Sequence, residues 1–323
     1  MFSTYKRKIL SLILVCVLTL TFITACTGIF VKGDQEVLSV NFIDVGVGDS
    51  TLVSLPGGKT LLIDTGANTP TNKDKLVNLI KKYSNRIDYL VLTSLVNEHI
   101  SNAVNVIEEF GIGKAFIPNV IDKTPYLTFN SVYNMLVERE VDIEFSKSFI
   151  NLSNTDYTLL FLSPNASGKD GDYVKFNYAD IKDQSLIDNL SPIIYLEFRG
   201  VRFLLSSRSR SNQESWVVEN YKNGLYDAFS RNGNQVALED IDFYKLSNYG
   251  GSAGNSVKLL SILKPKNAII SVSGLGGQGY PSTDTLMTLQ NVNPDHFLYR
   301  TDVDKTVRVE VNSYGKYQIY KGE

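Results

Sequence analysis

The sequence predicts a mixed α/β (α+β) domain built as a four-layer αββα sandwich. Short apolar runs separated by Gly-rich turns alternate with helical patterns almost to the C-terminus, and strands followed by helices occur in two similar halves. Two strand-rich blocks with helices outside them favour packed sheets over a doubly wound parallel sheet. With 43% hydrophobic and 20% charged residues, the composition is globular and excludes wholesale disorder, collagen-like chains and coiled coils.

The N-terminus predicts an export signal. Residues 6–8 are basic, residues 9–23 are mostly apolar, and residues 23–26 read Ile-Thr-Ala-Cys. The apolar run is shorter than the roughly 20 residues of a spanning helix. The tetrapeptide resembles the bacterial lipobox, which implies lipidation of Cys26. The alternatives are an uncleaved anchor or a plain secretory signal, and both also place the rest of the chain outside the cytoplasm.

The predicted organisation is a signal peptide over residues 1–25, a polar tether over 26–36 and one domain over 37–323. Acyl chains on Cys26 are expected to hold the domain at the extracytoplasmic face of the cell membrane, because two or more chains make attachment durable. Cys16 is the only other cysteine, so the domain has no thiol for a disulfide or a thiolate ligand.

Apolar runs and turn residues predict the elements of the first half. Pro56 and the glycines after it mark a hairpin turn, and Gly111 marks the end of a helix. The predicted strands span residues 38–43, 50–55, 60–63 and 89–92, and the predicted helices span residues 72–83 and 101–110.

The second half repeats this pattern. Arg199 and Gly200 form the turn of a second hairpin, and Gly-rich loops precede each later helix. The predicted strands span residues 158–162, 193–198, 201–205, 242–246, 268–272, 297–300, 306–311 and 317–320, and the predicted helices span residues 256–263 and 282–290.

Several motifs in this order resemble metallo-β-lactamase-fold domains of the ComEC/Rec2 competence type. The opening match is residues 40–50, followed by Leu-Leu-Ile-Asp-Thr-Gly at 61–66. Collinear matches follow at residues 88–93, 203–205, 264–272, 281–282 and 299–302. The resemblance covers about residues 38–320 and implies the metallo-β-lactamase-like sandwich.

That resemblance implies a metal-dependent hydrolase, but the sequence departs from the family's ligand motifs. The family's His-x-His/Asp-x-Asp-His motif falls on residues 94–99, where Ser94, Val96 and Glu98 replace ligands and His99 is the one identical residue. His99 is therefore a remaining ligand, a general base or a hydrogen-bonded histidine at a helix start.

The other matching ligand positions are also changed. Arg208 stands where the family has a metal-bridging Asp, Asn248 and Tyr249 match a His-His pair, and Tyr280 matches a further His. A catalytic zinc ion usually has three protein ligands, and Glu98 with His99 are too few. We therefore expect no metal and no cofactor, the alternative being one weakly bound zinc or manganese ion.

Structural roles are considered for three aspartates and for Arg208. Asp64 follows a strand and is expected to bind loop backbone, whereas Asp44 and Asp49 in a Gly-containing loop either turn the chain or hold a substrate. Arg208 either binds an anion or pairs with Glu98 or Asp64 and closes the pocket. Pairing is favoured, because loss of metals would leave carboxylates unpaired.

The sequence predicts an extracytoplasmic lipoprotein that binds or scaffolds and has no catalytic residues. The alternative is a phosphodiesterase-like or nuclease-like metal-dependent hydrolase of reduced metal content, linked to DNA uptake, with Glu98 and His99 as its catalytic candidates. The expected partners are the membrane and either a protein or a small anionic ligand. A formal net charge of −2 does not favour nucleic acid, although a local basic patch would still allow it.

Overall fold

The computed structural model describes residues 36–120, 125–164, 184–229, 235–274 and 279–322. The predicted signal peptide, Cys26 and the tether up to residue 35 lie outside these ranges. Within them, none of the helices has the length and apolar character needed to cross a membrane.

The strands of the described residues fall close to the predicted positions. They are β1 (Leu38–Phe42), β2 (Thr51–Ser54), β3 (Thr60–Ile63), β4 (Arg86–Val91), β5 (Gly111–Ile117), β6 (Asp142–Phe145), β7 (Tyr157–Phe161), β8 (Ile194–Phe198), β9 (Val201–Leu205), β10 (Phe243–Lys245), β11 (Asn267–Ile270), β12 (Phe297–Arg300), β13 (Val307–Val311) and β14 (Tyr317–Lys321).

The helices follow the strands in both halves. They are α1 (Pro70–Tyr83), α2 (Asn97–Ile100), α3 (Ala103–Glu109), α4 (Leu127–Glu138), α5 (Gln184–Asp188), α6 (Ser211–Lys222), α7 (Val257–Leu263), α8 (Thr283–Val292) and α9 (Thr301–Asp304), with short 3₁₀ turns at Asp227–Phe229 and Asn248–Gly250.

The strands form two mixed sheets with a shared internal order. The first sheet runs β14-β13-β1-β2-β3-β4-β5-β6 and the second runs β12-β11-β10-β9-β8-β7. In each half, an antiparallel hairpin ladder (β1-β2-β3 or β7-β8-β9) is followed by three strands added in parallel. The hairpin β13–β14 then returns antiparallel to β1 and extends the first sheet.

The core has three apolar layers, which confirms the four-layer αββα sandwich. The central layer lies between the sheets and includes Phe203 and Phe243, whose rings stack with centroids 4.7 Å apart. One outer layer joins the first sheet to α1, α3 and α4, and the other joins the second sheet to α6, α7 and α8. Each sheet therefore buries both of its faces.

Capping residues place the helix starts. Thr69 accepts a hydrogen bond from the Asn72 backbone at the start of α1, and Pro70 occupies the first helical position. Ser256 and Ser282 cap α7 and α8 in the same way. Sequence periodicity located these three helices because each has a cap and an apolar face.

The prediction was wrong around residue 100 and missed seven helices and strands. The helix predicted over residues 101–110 corresponds to α3, and a separate short helix, α2, precedes it, so Glu98 and His99 lie within a helical turn and not ahead of the first helix. The missed elements are α2, β5, α4, β6, α5, α6 and α9. Strand β6 is short with no run of buried residues, and α6 is largely polar, so neither presents a clear hydrophobic period.

We expect Phe203→Ala to lower the free energy of unfolding by about 3–5 kcal/mol, because it leaves a cavity beneath the stacked Phe243 ring. Urea unfolding followed by circular dichroism measures this. Phe297→Ala in β12 is the matched control, since this side chain is 65% exposed and the change should stay within about 0.5 kcal/mol. Equal effects of the two changes would contradict the inter-sheet core.

Candidate functional site

The polar interior of the domain lies at the carboxyl ends of strands from both sheets. Asp64 follows β3, Thr93 and His99 follow β4, and Ser207 follows β9. Lys245 is the last residue of β10. Loops at the carboxyl ends of parallel strands are the usual place for a ligand site in α/β sheets, so this cluster is the candidate site.

Asp64 is fully buried and collects donors from several loops. Its carboxylate accepts the Thr93 backbone N–H at 2.8 Å and the Thr93 hydroxyl at 2.5 Å. Ser207 Oγ lies 2.9 Å and His99 Nδ1 lies 2.8 Å from Oδ2. Asp64 itself has a positive φ of 56°, a strained conformation for a residue with a side chain. The predicted bond to loop backbone is present, and Asp64 also orients an imidazole.

His99 is held through both ring nitrogens. Because the Asp64 carboxylate accepts from Thr93 as well, it acts as an acceptor, and Nδ1 of His99 is the donor in that contact. Nε2 then accepts, and the Tyr249 hydroxyl lies 2.7 Å from it. A carboxylate on one imidazole nitrogen is the arrangement that orients a metal-binding or catalytic histidine, which makes Nε2 the nitrogen available for chemistry.

Tyr249 covers the outer nitrogen of His99 from a strained backbone. Asn248, Tyr249 and Gly250 have successive positive φ values of 48°, 57° and 76°. Burial raises the pKa of Tyr249, with the Arg208 charge opposing the rise, so the phenol keeps its proton at neutral pH and donates to His99. Tyr280 packs beside it, with ring centroids 5.7 Å apart, and is partly exposed.

A buried ion pair lies next to this chain of hydrogen bonds. The Lys245 ammonium contacts Asp49 Oδ2 and donates to the Ser206 carbonyl at 2.7 Å, and Lys245 is only 2% exposed. Ser207 Oγ joins the pair to Asp64, because it also lies 3.0 Å from Asp49 Oδ2. Gly48 lets the loop that carries Asp49 lie against α2, since a Cβ there would stand 2.0 Å from the Glu98 carbonyl oxygen.

Asp49, Asp64 and His99 form a group that could hold a metal ion. One ligand atom from each lies within 4.8 Å of the others, and all three residues are buried. His99 is the one member of this group that the family's ligand motif matched, and Glu98 is not part of the group. Three ligands of this type match the number in many catalytic zinc sites.

The surroundings of that group do not fit a divalent ion while Lys245 is in place. The ammonium already contacts Asp49, and a cation near it would be repelled by several kcal/mol at an effective dielectric near 20. The Asp64 oxygens face N–H and O–H donors. Asp49 Oδ1 is the exception, a buried oxygen with no hydrogen-bond partner among the described residues. A metal would have to displace Lys245.

Arg208 pairs with a carboxylate that sequence reasoning did not identify. Its Nε donates to Asp188 Oδ1 at 2.7 Å, and Arg210 Nη1 donates to Asp188 Oδ2 at 3.0 Å. Glu98 Oε1 lies 3.9 Å from Arg208 Nη1. Burial alone would lower the pKa of Arg208, but the hydrogen bond and charge of Asp188 raise it on balance. Of the two predicted partners, Glu98 is present and Asp64 is engaged elsewhere.

Two further predicted positions, Asn248 and Asp44, hold loops near the site through hydrogen bonds. Asn248 donates to the carbonyls of Arg208 and Ser209, which fixes the loop that carries Tyr249. Asp44 accepts from the Gly46 backbone at 3.2 Å and serves its own loop.

Ser94 and Val96 continue the chain between β4 and α2. Ser94 Oγ lies 3.4 Å from the Val96 nitrogen, and Val96 precedes α2 with extended backbone. Neither side chain offers a strong metal ligand.

Sequence reasoning missed Lys245, Ser207 and Asp188. Lys245 did carry a signal, because it is a lone charge within the apolar run of a buried strand, and buried lysines are rarely unpaired. Asp188 lies in the short helix α5, which has no clear pattern. Ser207 is a common residue in a loop and gave no signal of its own.

No family model matches the chain, and no curated protein sequence matches it significantly. Solved structures give weak likenesses. A mutant of CmlA β-hydroxylase has a TM-score of 0.49 and 12% identity over 85% of this chain and 54% of that chain. A diphosphatase of the PhnP family has a TM-score of 0.43 and 12% identity over 85% and 98% of the two chains.

A mutant metallo-β-lactamase from Cronobacter sakazakii has a TM-score of 0.36 and 11% identity over 65% of this chain and 77% of that chain. The chain spans about half the length of the CmlA protein that it matches. All three scores are below 0.5, so the fold rests on the sheet order and layering described above.

Lys245→Met should lower the free energy of unfolding by about 3–5 kcal/mol, because it leaves the Asp49 carboxylate buried without its cation. The double variant Asp49→Asn/Lys245→Met removes both charges and should recover about half of that loss or more. Thermal and urea unfolding of the single and double variants measure the coupling. A double variant as unstable as the single one would show that the ion pair is not the source.

Proposed function

We propose that this protein is an extracytoplasmic, lipid-anchored binding or scaffold protein whose metallo-β-lactamase-like domain works without a metal ion. Cys26 is the proposed lipidation site, and the extracytoplasmic face of the cell membrane is the proposed location. A small anionic ligand or a partner protein is the proposed binding partner, and nucleic acid is not favoured by the net charge.

One observation carries the proposal. Nε2 of His99, the nitrogen left available once Asp64 orients the ring, is covered by the chain's own Tyr249 hydroxyl at 2.7 Å. A histidine that binds metal or activates water needs this nitrogen open to the ligand. Tyr249 is held there by a strained backbone, which the surrounding loop must stabilise.

The charges around the site support the same conclusion. Lys245 balances Asp49, and Arg208 with Arg210 balances Asp188 and Glu98. Protein cations therefore stand beside the carboxylates of this region. Buried carboxylates need a cation or hydrogen-bond donors, and here side chains supply both.

A second candidate function is favoured by Asp49 Oδ1. This buried oxygen has no hydrogen-bond partner in the described part of the chain and belongs to the Asp49, Asp64 and His99 group. If Lys245 and Tyr249 both moved away, that group could hold one zinc or manganese ion and support a phosphodiesterase-like or nuclease-like hydrolase, with the DNA-uptake role that the ComEC resemblance suggests.

Metal content separates the two functions. Full-length protein purified in detergent without chelator should contain on the order of 0.1 zinc or manganese ions per chain or less by elemental analysis. Added Zn²⁺ or Mn²⁺ should leave the thermal unfolding midpoint unchanged, because a ligand bound only by the native state would raise it. One tightly held ion per chain, with a raised midpoint, would overturn the metal-free proposal.

Hydrolysis provides an independent test. Wild-type protein with Mn²⁺ or Zn²⁺ should hydrolyse bis(4-nitrophenyl) phosphate no faster than the buffer does. If the alternative is right, wild type is active and His99→Asn lowers the rate by about 100-fold or more. Glu219→Gln, a change on the exposed face of α6, is the control that should keep any activity.

A further inference from the structure

Two arginines from one loop converge on a single buried carboxylate. Arg208 holds one oxygen of Asp188 and Arg210 holds the other, at 2.7 Å and 3.0 Å. Asp188 is 1% exposed. A carboxylate with a guanidinium on each oxygen is bound in the way that proteins bind oxyanion ligands.

The carboxylate and the arginines come from different parts of the chain. The arginines lie between β9 and α6, and Arg210 directly precedes the first turn of α6, a twelve-residue helix whose N-terminus adds positive potential. Asp188 ends the five-residue helix α5. Gln213 holds the segment after α5, because its Nε2 donates to the carbonyls of Asn189 and Ser191.

The arginine pair remains reachable from solvent. The Arg208 side chain is 12% exposed and that of Arg210 is 33% exposed, whereas the Asp188 side chain is almost fully covered. Glu98 is the other acidic side chain paired with Arg208, at 3.9 Å, and its side chain is 37% exposed. The two cations of the loop are thus matched by two anions of the same chain.

We propose that Arg208 and Arg210 form a binding site for the oxyanion group, carboxylate or phosphate, of a small water-soluble ligand, and that Asp188 fills this site when the ligand is absent. The site deepens the binding function proposed above and rests on it. Ligand binding replaces one oxyanion by another on the same two guanidinium groups, so the arginines stay paired, and the displaced Asp188 carboxylate has to reach solvent.

Removing the internal carboxylate tests the site. Asp188→Asn keeps the side-chain shape and removes the charge, so inorganic phosphate should bind at least about tenfold more tightly to this variant than to wild type by isothermal titration calorimetry. Acetate, titrated in the same way, distinguishes a carboxylate site from a phosphate site. All titrations are run at constant ionic strength set with chloride.

Three further variants give the controls. Glu98→Gln removes the more exposed anion and should tighten phosphate binding severalfold, which keeps the test valid if Asp188→Asn does not fold. Glu219→Gln makes the same charge change at an exposed position of α6 and should bind as wild type does. Adding Arg210→Gln to Asp188→Asn should abolish the gain.

The outcomes are distinct. A gain in Asp188→Asn and Glu98→Gln that depends on Arg210 supports the site. Equal binding of either anion to the two variants and to wild type overturns it, as does a gain that persists without Arg210. Metal content is measured separately on the same wild-type preparation, so failure of the oxyanion site and failure of the metal-free function are distinguishable.

Discussion

The fully buried carboxylate of Asp64 is the constraint on which the site depends. A carboxylate with no access to water needs hydrogen-bond donors from the protein, and here they come from the loops that follow β4 and β9. These loops belong to different sheets, so satisfying Asp64 also ties the two halves of the sandwich together. The positions of His99 and Ser207 follow from this requirement.

The chemistry of the site follows from the same hydrogen bonds. Because Asp64 binds Nδ1 of His99, Nε2 of the imidazole points away from Asp64. The group that contacts Nε2 therefore determines what the histidine can do. In this chain a tyrosine hydroxyl contacts that nitrogen, which is the basis of the proposed binding function.

Two cationic side chains of the protein lie in its interior. Lys245 and Arg208 each contact a buried carboxylate, and in such pairs the cost of desolvation offsets part of the attraction. Removing one partner of either pair would leave an unpaired buried charge. The surface-reachable arginine pair differs from the sealed Lys245 pair in one respect that matters for function: a ligand can compete for it.

Sequence alone determined the layered fold, the strands with apolar runs, the capped helices, and the changes at the residues that match the family's ligand motifs. Those features are local, because periodicity, caps and turn residues act within a few positions of each other. It also indicated His99 as a candidate site residue and assigned Asp64 a bond to loop backbone. Two parts of the structure were harder to predict from the sequence, namely the helical segment between residues 97 and 110 and the polar helix α6. Their hydrophobic periodicity is weak.

Only the tertiary structure decided which charges meet. Asp49 and Lys245 are separated by 196 positions, and His99 and Tyr249 by 150, and these contacts arise from the packing of one sheet on the other. Arg208 had several carboxylates as possible partners, and its choice of Asp188 depends on the path of a short helix with no sequence signal. Pairing in a buried site is a long-range property, because burial sets the energy of each charge and the fold sets its neighbours.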